Sequence, residues 1–250
     1  MNEIIYGRQS VHEALVAGRR QVFRISMARS DRFAEVRQAI LAIAEERRIP
    51  LHETDGRELD RVCGDVNHQG VAAEVSNYPY EDLPALLAHA QEKQEPPLLL
   101  ILDHIQDPQN FGAILRSAET TGVHGVIIPR DRAVAVTAAA ARASAGAAEH
   151  LRVAAVTNLA QTIQTLKTRE MWVAGLESAP ESRVFTEADL KGPLALVVGS
   201  EGSGLGRLVR ERCDFLVRLP MWGRINSLNV ASATAVALFE VRRQRSAGKE

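Results

Sequence analysis

Short apolar runs alternate with segments of helical period along most of the chain. Ser10 stands where it can cap a helix over Val11–Ala17, with Gly18 to end it. Val22–Met27 alternates apolar and polar residues like a strand. Phe33–Arg47 carries Phe33, Val36, Ile40, Leu41 and Ala44 at amphipathic-helix spacing, and Pro50 closes that unit. Gly70–Val75 reads as a further strand, which makes residues 1–76 a small α/β module.

Residues 77–97 break the rhythm. A short helical stretch, Leu83–Ala90, is followed by Gln91-Glu92-Lys93-Gln94-Glu95-Pro96-Pro97, polar and ended by two prolines, the pattern of an exposed linker. From residue 98 to 250 the strand-then-helix order returns. The predicted strands are Leu98–Leu102, Val126–Ile128, Trp172–Leu176, Leu194–Val198 and Phe215–Leu219. The predicted helices are Ala113–Thr121, the alanine-rich Ala138–Ala148, Leu159–Leu166 and a long final one over Leu228–Arg245. Apolar strands separated by helices imply an α/β fold with a parallel sheet covered on both faces.

Composition narrows the class. Hydrophobic residues make up 46% of the 250 positions and charged residues 24%, an ordinary globular balance. No apolar run is long enough to span a bilayer, and the N-terminus lacks the basic segment and apolar core of a secretory signal. Cys63 and Cys213 are far apart and fit no metal spacing, so a reducing cytoplasm and a metal-free protein are expected. The net charge of −1 is uneven: residues 205–250 hold nine Lys/Arg against four Asp/Glu, or +5, which leaves −6 elsewhere. Such a tail suits either phosphate contacts or a solvated helix face.

Three constellations carry candidate chemistry. Asp107-Pro108-Gln109-Asn110, directly after an apolar strand, suits a helix entry, and Arg116 follows six positions later. Two helical residues at that spacing lie roughly 120° apart, whereas an Asn110 still in the loop could turn toward the same cleft as Arg116. An Arg and an Asn there suit a phosphate and a ribose hydroxyl. The second, Gly199-Ser200-Glu201-Gly202-Ser203-Gly204-Leu205-Gly206, lets backbone approach a ligand closely, but its glycine spacing fits neither a dinucleotide fingerprint nor a phosphate loop. In the third, Leu219–Ala233, Ser227 can cap the last helix while Ser227 and Asn229 offer polar groups at its entrance.

In this order the three segments resemble the motifs of the SpoU (TrmH-type) RNA ribose methyltransferases of the SPOUT superfamily. Asn110…Arg116 is similar to the first motif, Gly199-Ser200-Glu201-Gly202 to the second and Ser227-Leu228-Asn229-Val230 to the third. Ser144–Glu149 resembles a further family segment, and Tyr6-Gly7…Val11…Ala14-Leu15 with His68-Gln69-Gly70-Val71 resembles the family's small RNA-binding domain. The resemblance covers nearly the whole chain. It implies an RNA substrate-binding domain over 1–76, a linker over 77–97 and a catalytic domain over 98–250 whose C-terminal part forms a deep trefoil knot. It also implies a homodimer with each site completed by the partner. The methyl donor would be S-adenosylmethionine, with Gly199, Leu219 and Leu228 lining its pocket and Glu201, Gly202 and Met221 nearby.

The implied reaction is methyl transfer to a ribose 2′-hydroxyl, with 23S rRNA as partner and a guanosine of its peptidyl-transferase loop as target. Arg116 would contact the nucleotide's phosphate and assist deprotonation. An ordinary Arg stays protonated, so that assistance needs a route through the phosphate or an unusual environment. Asn110, Glu201, Ser227 and Asn229 would position ribose, donor and Arg116. The competing readings are a tRNA methyltransferase of the same family and a ribosome-assembly factor that holds RNA without methylating it. A nucleotide-dependent oxidoreductase fails on glycine spacing. The seven histidines show no metal-ligand spacing and read mostly as surface or satisfied polar groups. His68 suits an RNA contact or a strand entry, Trp222 base stacking or packing, and Arg242, Arg243 and Arg245 RNA phosphates or a solvated helix end.

Overall fold

The computed structural model describes residues 2–29, 34–131 and 133–247. Chain order begins β1 (Asn2–Tyr6), α1 (Arg8–Ala17), β2 (Val22–Ala28), α2 (Ala34–Glu46), β3 (Leu51–Thr54), α3 (Gly56–Cys63) and β4 (Val71–Ser76). It continues α4 (Leu83–Glu92), β5 (Leu98–Asp103), α5 (Pro108–Thr120), β6 (Gly125–Pro129), α6 (Ala138–Ala143), β7 (Val153–Val156) and α7 (Leu159–Lys167). It ends β8 (Trp172–Leu176), β9 (Arg183–Val184), β10 (Leu194–Gly199), α8 (Arg207–Arg212), β11 (Phe215–Arg218) and α9 (Val230–Ser246). No helix among the described residues is long and apolar enough to cross a membrane.

Two compact units result, and the first is discontinuous: Met1–Pro79 together with Val136–His150. Its sheet has the order β1-β4-β2-β3, with β2 and β3 parallel and the other pairs antiparallel. Ile5, Val11, Leu15, Ile25, Ile40 and Val75 fill its core and are fully buried. Ser10 does not cap α1. It lies inside that helix, and its hydroxyl donates to the Ala141 carbonyl at 3.2 Å, because Gly7 already occupies the cap position. Phe33 lies outside the described residues.

The alanine-rich stretch is not one helix. α6 stops at Ala143, Ala145 and Gly146 take positive φ of 52° and 87°, and Ala147–Glu149 is a separate 3₁₀ turn. Small side chains let that reversal press against α1: a Cβ on Gly146 would lie 2.6 Å from the Glu13 Cβ. The segment is tied into the unit by polar groups as well. Tyr78 donates to the Ala148 carbonyl at 3.0 Å, and the fully buried Arg20 pairs with Glu149 at 2.9 Å.

The second unit, Tyr80–Ala135 with Leu151–Glu250, holds the seven-stranded sheet of order β7-β6-β5-β10-β8-β11-β9, parallel throughout. Every residue of β5, β6 and β10 is buried, as expected of strands covered on both faces. The α/β class expected from the apolar runs is therefore present. From β5 the chain builds outward through β6 and β7, and from β10 it moves the other way to β11. Neighbouring strands whose connections diverge leave a crevice at their carboxyl ends. Here that point is the Asp103–Gly199 pair.

Two details of the predicted linker and tail are corrected. Gln91 and Glu92 belong to α4 rather than to an exposed linker. Arg242 and Arg245 are neither a solvated end nor free for phosphate. Arg242 bonds the carbonyls of Thr121 and Gly122 and the Glu95 carboxylate, and Arg245 bonds the carbonyls of Pro96, Pro97 and Gly192. Those carbonyls lie just outside strands and helices; the Pro97 carbonyl also accepts the Leu194 N–H at 2.9 Å, and guanidinium donors serve the whole set. Arg243 is mostly exposed and pairs with Glu240 at 2.7 Å.

Candidate active site

Asp107 caps α5, accepting the Asn110 N–H at 2.7 Å, so Asn110 is in the first helical turn and not in the loop. Arg116 is helical too. The pair therefore takes the roughly 120° separation of a six-residue step. Arg116 is exposed and, among the described residues, makes no side-chain hydrogen bond or ion pair.

The glycine segment begins inside the sheet. Gly199 ends β10 with a Cβ position only 2.2 Å from the Gly204 carbonyl carbon, so only glycine fits there. The loop then reverses, with Ser200 and Gly204 exchanging two backbone hydrogen bonds of 3.2 and 3.0 Å and the Ser200 and Ser203 hydroxyls 2.6 Å apart. Gly202 at φ 85° and Gly204 at φ 65° hold the left-handed conformations this reversal requires. Glu201, Gly202 and Ser203 form its exposed tip.

Ser227 does not cap the final helix. Asn229 does, its Oδ1 accepting the N–H groups of Ala231 at 2.9 Å and Ser232 at 3.3 Å. Ser227 lies two residues outside the helix, exposed and too early in the chain to reach those donors. The Asn229 amide nitrogen donates at 2.9 Å to Asn110 Oδ1 and at 3.4 Å to Glu201 Oε1, and Asn110 Nδ2 also donates to Glu201 Oε1. One residue from each constellation thus meets at a single point. The cluster holds two amides and one carboxylate, exposed enough for Glu201 to accept further hydrogen bonds from hydroxyls.

Leu219 is nearly buried just after β11, while Met221 and Leu228 are 37% and 48% exposed. Trp222, at 90% exposure, is not packed within this chain. Residues 221–229 thus offer apolar surface next to the polar cluster.

Similarity to known proteins agrees with this arrangement. A family model described as "SpoU rRNA Methylase family" matches residues 97–239, and one described as "RNA 2'-O ribose methyltransferase substrate binding" matches residues 4–81. The 23S rRNA (guanosine-2'-O-)-methyltransferase RlmB of Pseudomonas putida is 42% identical over 244 residues, 97% of this chain and 97% of that protein. Bacillus subtilis YacO, named to the TrmH family of tRNA/rRNA methyltransferases, is 41% identical over 245 residues, 98% of this chain and 97% of its own. An AdoMet-bound rRNA methyltransferase from Sinorhizobium meliloti superposes with a TM-score of 0.78 at 25% identity, covering 97% of this chain and 87% of that one.

The chain belongs to the SpoU methylase family.

As a SpoU methylase it is an RNA 2′-O-methyltransferase that uses S-adenosylmethionine. The loop suits that donor on structural grounds, since a side-chain-free reversal can press backbone groups against a ligand and exposed apolar residues follow on the next loop. Among the described residues no group of three or more His, Cys, Asp or Glu could hold a metal ion. Burial pushes the Cys213 thiol up to about 12 and raises that of Cys63, so neither is a poised nucleophile. His68 takes a strand-entry position: its Nδ1 accepts the Gly70 N–H at 3.0 Å and its Nε2 faces Asp60 at 3.1 Å.

Two site residues escaped the sequence reading. Asp103 and Glu177 stand at the carboxyl ends of β5 and β8, the strands on either side of β10. Their available signal was a single carboxylate directly after a buried apolar run.

Proposed function

We propose that this SpoU methylase transfers a methyl group to the 2′-hydroxyl of one guanosine in the peptidyl-transferase loop of 23S rRNA, acting in the cytoplasm as a homodimer. The observation that carries it is the meeting of Asn110, Glu201 and Asn229 at the carboxyl edge of the sheet. Full-length identity of 42% to a relative named for 23S rRNA guanosine supports the choice of substrate. The fold reading includes the trefoil knot of the family, with RNA binding assigned to the unit of Met1–Pro79 and Val136–His150 and catalysis to the unit of Tyr80–Ala135 and Leu151–Glu250.

When bound, S-adenosylmethionine would supply a sulfonium methyl carbon, to which the ribose oxygen bonds as the carbon–sulfur bond breaks in line and S-adenosylhomocysteine leaves. The chain's work is then to orient the hydroxyl and to see its proton leave. Gly199, Gly202, Leu219, Met221 and Leu228 would seat the donor, and Glu201, Asn110 and Asn229 would hold the ribose by hydrogen bonds. Ser227, exposed one turn before the helix, would contact RNA or donor rather than cap α9. Arg116, exposed on α5, suits a site completed by a second copy: it binds the nucleotide's phosphate, whose oxygen receives the hydroxyl proton. Exposed Val236 and Phe239 on α9 add apolar surface for that second copy.

Transfer of labelled methyl to unmodified 23S rRNA, with bulk tRNA alongside, tests the reading. One 2′-O-methylguanosine in 23S rRNA is expected, label only in tRNA would overturn the substrate, and no label in either would favour the assembly-factor alternative. Arg116→Ala should lower transfer at least about 100-fold, the scale of losing positioned proton transfer, while donor affinity stays unchanged. Full activity in that variant would remove Arg116 from the mechanism.

A further inference from the structure

The glycine loop is held from both sides by groups outside the three constellations. β10 runs between β5 and β8, so the residues that end those strands flank the point where the loop leaves and re-enters the sheet edge. On one side, Asp103 Oδ2 accepts the Gly206 N–H at 2.7 Å. On the other, Glu177 Oε2 accepts the Leu205 N–H at 3.2 Å. Two consecutive backbone donors on the returning leg of the loop are thus taken by two carboxylates on opposite flanks of one strand.

Each carboxylate is itself held. Asp103 is 1% exposed, and its Oδ1 lies 2.5 Å from His104 Nδ1. Glu177 Oε1 pairs with Arg210 Nε at 3.1 Å, and Arg210 also contacts Glu181. The Glu177 N–H donates to the Val217 carbonyl at 2.9 Å, which fixes its backbone to β11. The loop sits close against both acceptors: a Cβ on Gly204 would be 3.4 Å from Glu177 Oε2, and one on Gly206 would be 3.1 Å from Asp103 Oδ2. An amide donating to a carboxylate makes a charge-assisted bond, stronger than an ordinary backbone pair. Within the loop, Ser200 is bridged to Gly204 and to the Ser203 hydroxyl, whereas the Leu205 and Gly206 donors that follow are taken by these two carboxylates outside it.

We propose that Asp103 and Glu177 are positioning residues that clamp the Gly199–Gly206 loop in its donor-binding shape, with Arg210 holding Glu177 in place. The inference rests on the reading of that loop as the seat of S-adenosylmethionine. Neither carboxylate need touch the donor, because both act through the backbone of residues 205 and 206.

The test compares full-length Glu177→Ala, Glu177→Gln and Asp103→Asn with the unsubstituted protein in two measurements. Amide hydrogen exchange without donor reads the clamp directly, and calorimetric titration with S-adenosylmethionine reads its consequence. In Glu177→Ala the Leu205 amide should exchange faster and the donor Kd should rise about tenfold, the worth of one hydrogen bond of this type. KM for RNA at saturating donor should be unchanged. Glu177→Gln keeps an acceptor for Leu205 and should recover to within about threefold. Asp103→Asn keeps an acceptor for Gly206 and should likewise stay within about threefold of the parent.

Unchanged Leu205 exchange and unchanged donor Kd in Glu177→Ala would overturn the clamp. So would a lower Tm with donor Kd intact, because the role would then be structural only. If the unsubstituted protein bound no donor, the reading of the loop would fail, while the exchange measurement would still decide whether the carboxylates hold it.

Discussion

The carboxamide of Asn229 does two jobs with its two atoms. Its oxygen accepts the first free N–H groups of α9, and its nitrogen reaches Asn110 and Glu201. Serine caps a helix about as well as asparagine but is too short to bridge to the other constellations. Asn229→Ser should therefore keep Tm within about 1 °C and lose methyl transfer at least about tenfold. Asn229→Ala should lose activity similarly and also about 1 kcal/mol of stability, or roughly 2–4 °C. Thermal melts beside methyl-transfer assays separate the two jobs. Equal activity in Asn229→Ser and the parent would show that the bridge contributes nothing.

Among the elements, the turn between α5 and β6 and the entry to β5 depend on a buried histidine. His124 Nδ1 accepts the Leu98 N–H at 3.0 Å, so in the native state that nitrogen carries no proton. Burial, opposed by Glu95 and aided by Arg242 and Arg245, brings its pKa down to about 4 from the ordinary 6.5. The unfolded chain takes the proton first as pH falls. The stability this site contributes is then fully present above about pH 6.5 and is lost as pH falls toward 4, a change on the order of 2 kcal/mol. His124→Asn keeps a neutral acceptor that does not titrate. Denaturant melts at pH 7 and pH 4.5 should show a smaller drop in the variant than in the parent, and identical drops would exclude His124 as the source. Arg242 and Arg245 frame the same turn through carbonyls of Thr121, Gly122, Pro96 and Pro97. A basic helix end in this fold is thus structural.

At the scale of the whole molecule, the chain visits its first unit twice. Val136–His150 bring Ala141, Ala148 and Glu149 into the unit built by Met1–Pro79, where Glu149 is the partner of a buried guanidinium. A fragment ending at residue 79 would take Glu149 from Arg20, which keeps Glu3 at 2.7 Å, and would strip the buried Tyr78 hydroxyl of its Ala148 acceptor. Residues 1–79 alone should show no cooperative thermal transition by circular dichroism, and joining Val136–His150 through a flexible linker should restore one. Cooperative melting of the short fragment at the temperature of the joined one would refute the discontinuous unit.

Much of this was legible in the chain itself. Apolar runs of strand length separated by helical periods determined the parallel α/β class, because a strand buried on both faces must be apolar at every position. The glycines of 199–206 marked a backbone reversal, because few other residues tolerate the required φ. The polar positions of the three constellations named Asn110, Glu201 and Asn229 as candidates. Tertiary structure alone decided the rest, because it depends on pairings between residues far apart in sequence. Local pattern named Ser227 as the cap, whereas Asn229 takes that position and the bonds to Asn110 and Glu201 go with it. Whether Asn110 was looped or helical, and hence its roughly 120° separation from Arg116 about α5, followed from Asp107 capping that helix. Asp103 and Glu177 became partners of one loop only because strand order places β10 between β5 and β8. Strand order is set by packing of the whole sheet, and no window of the sequence contains it.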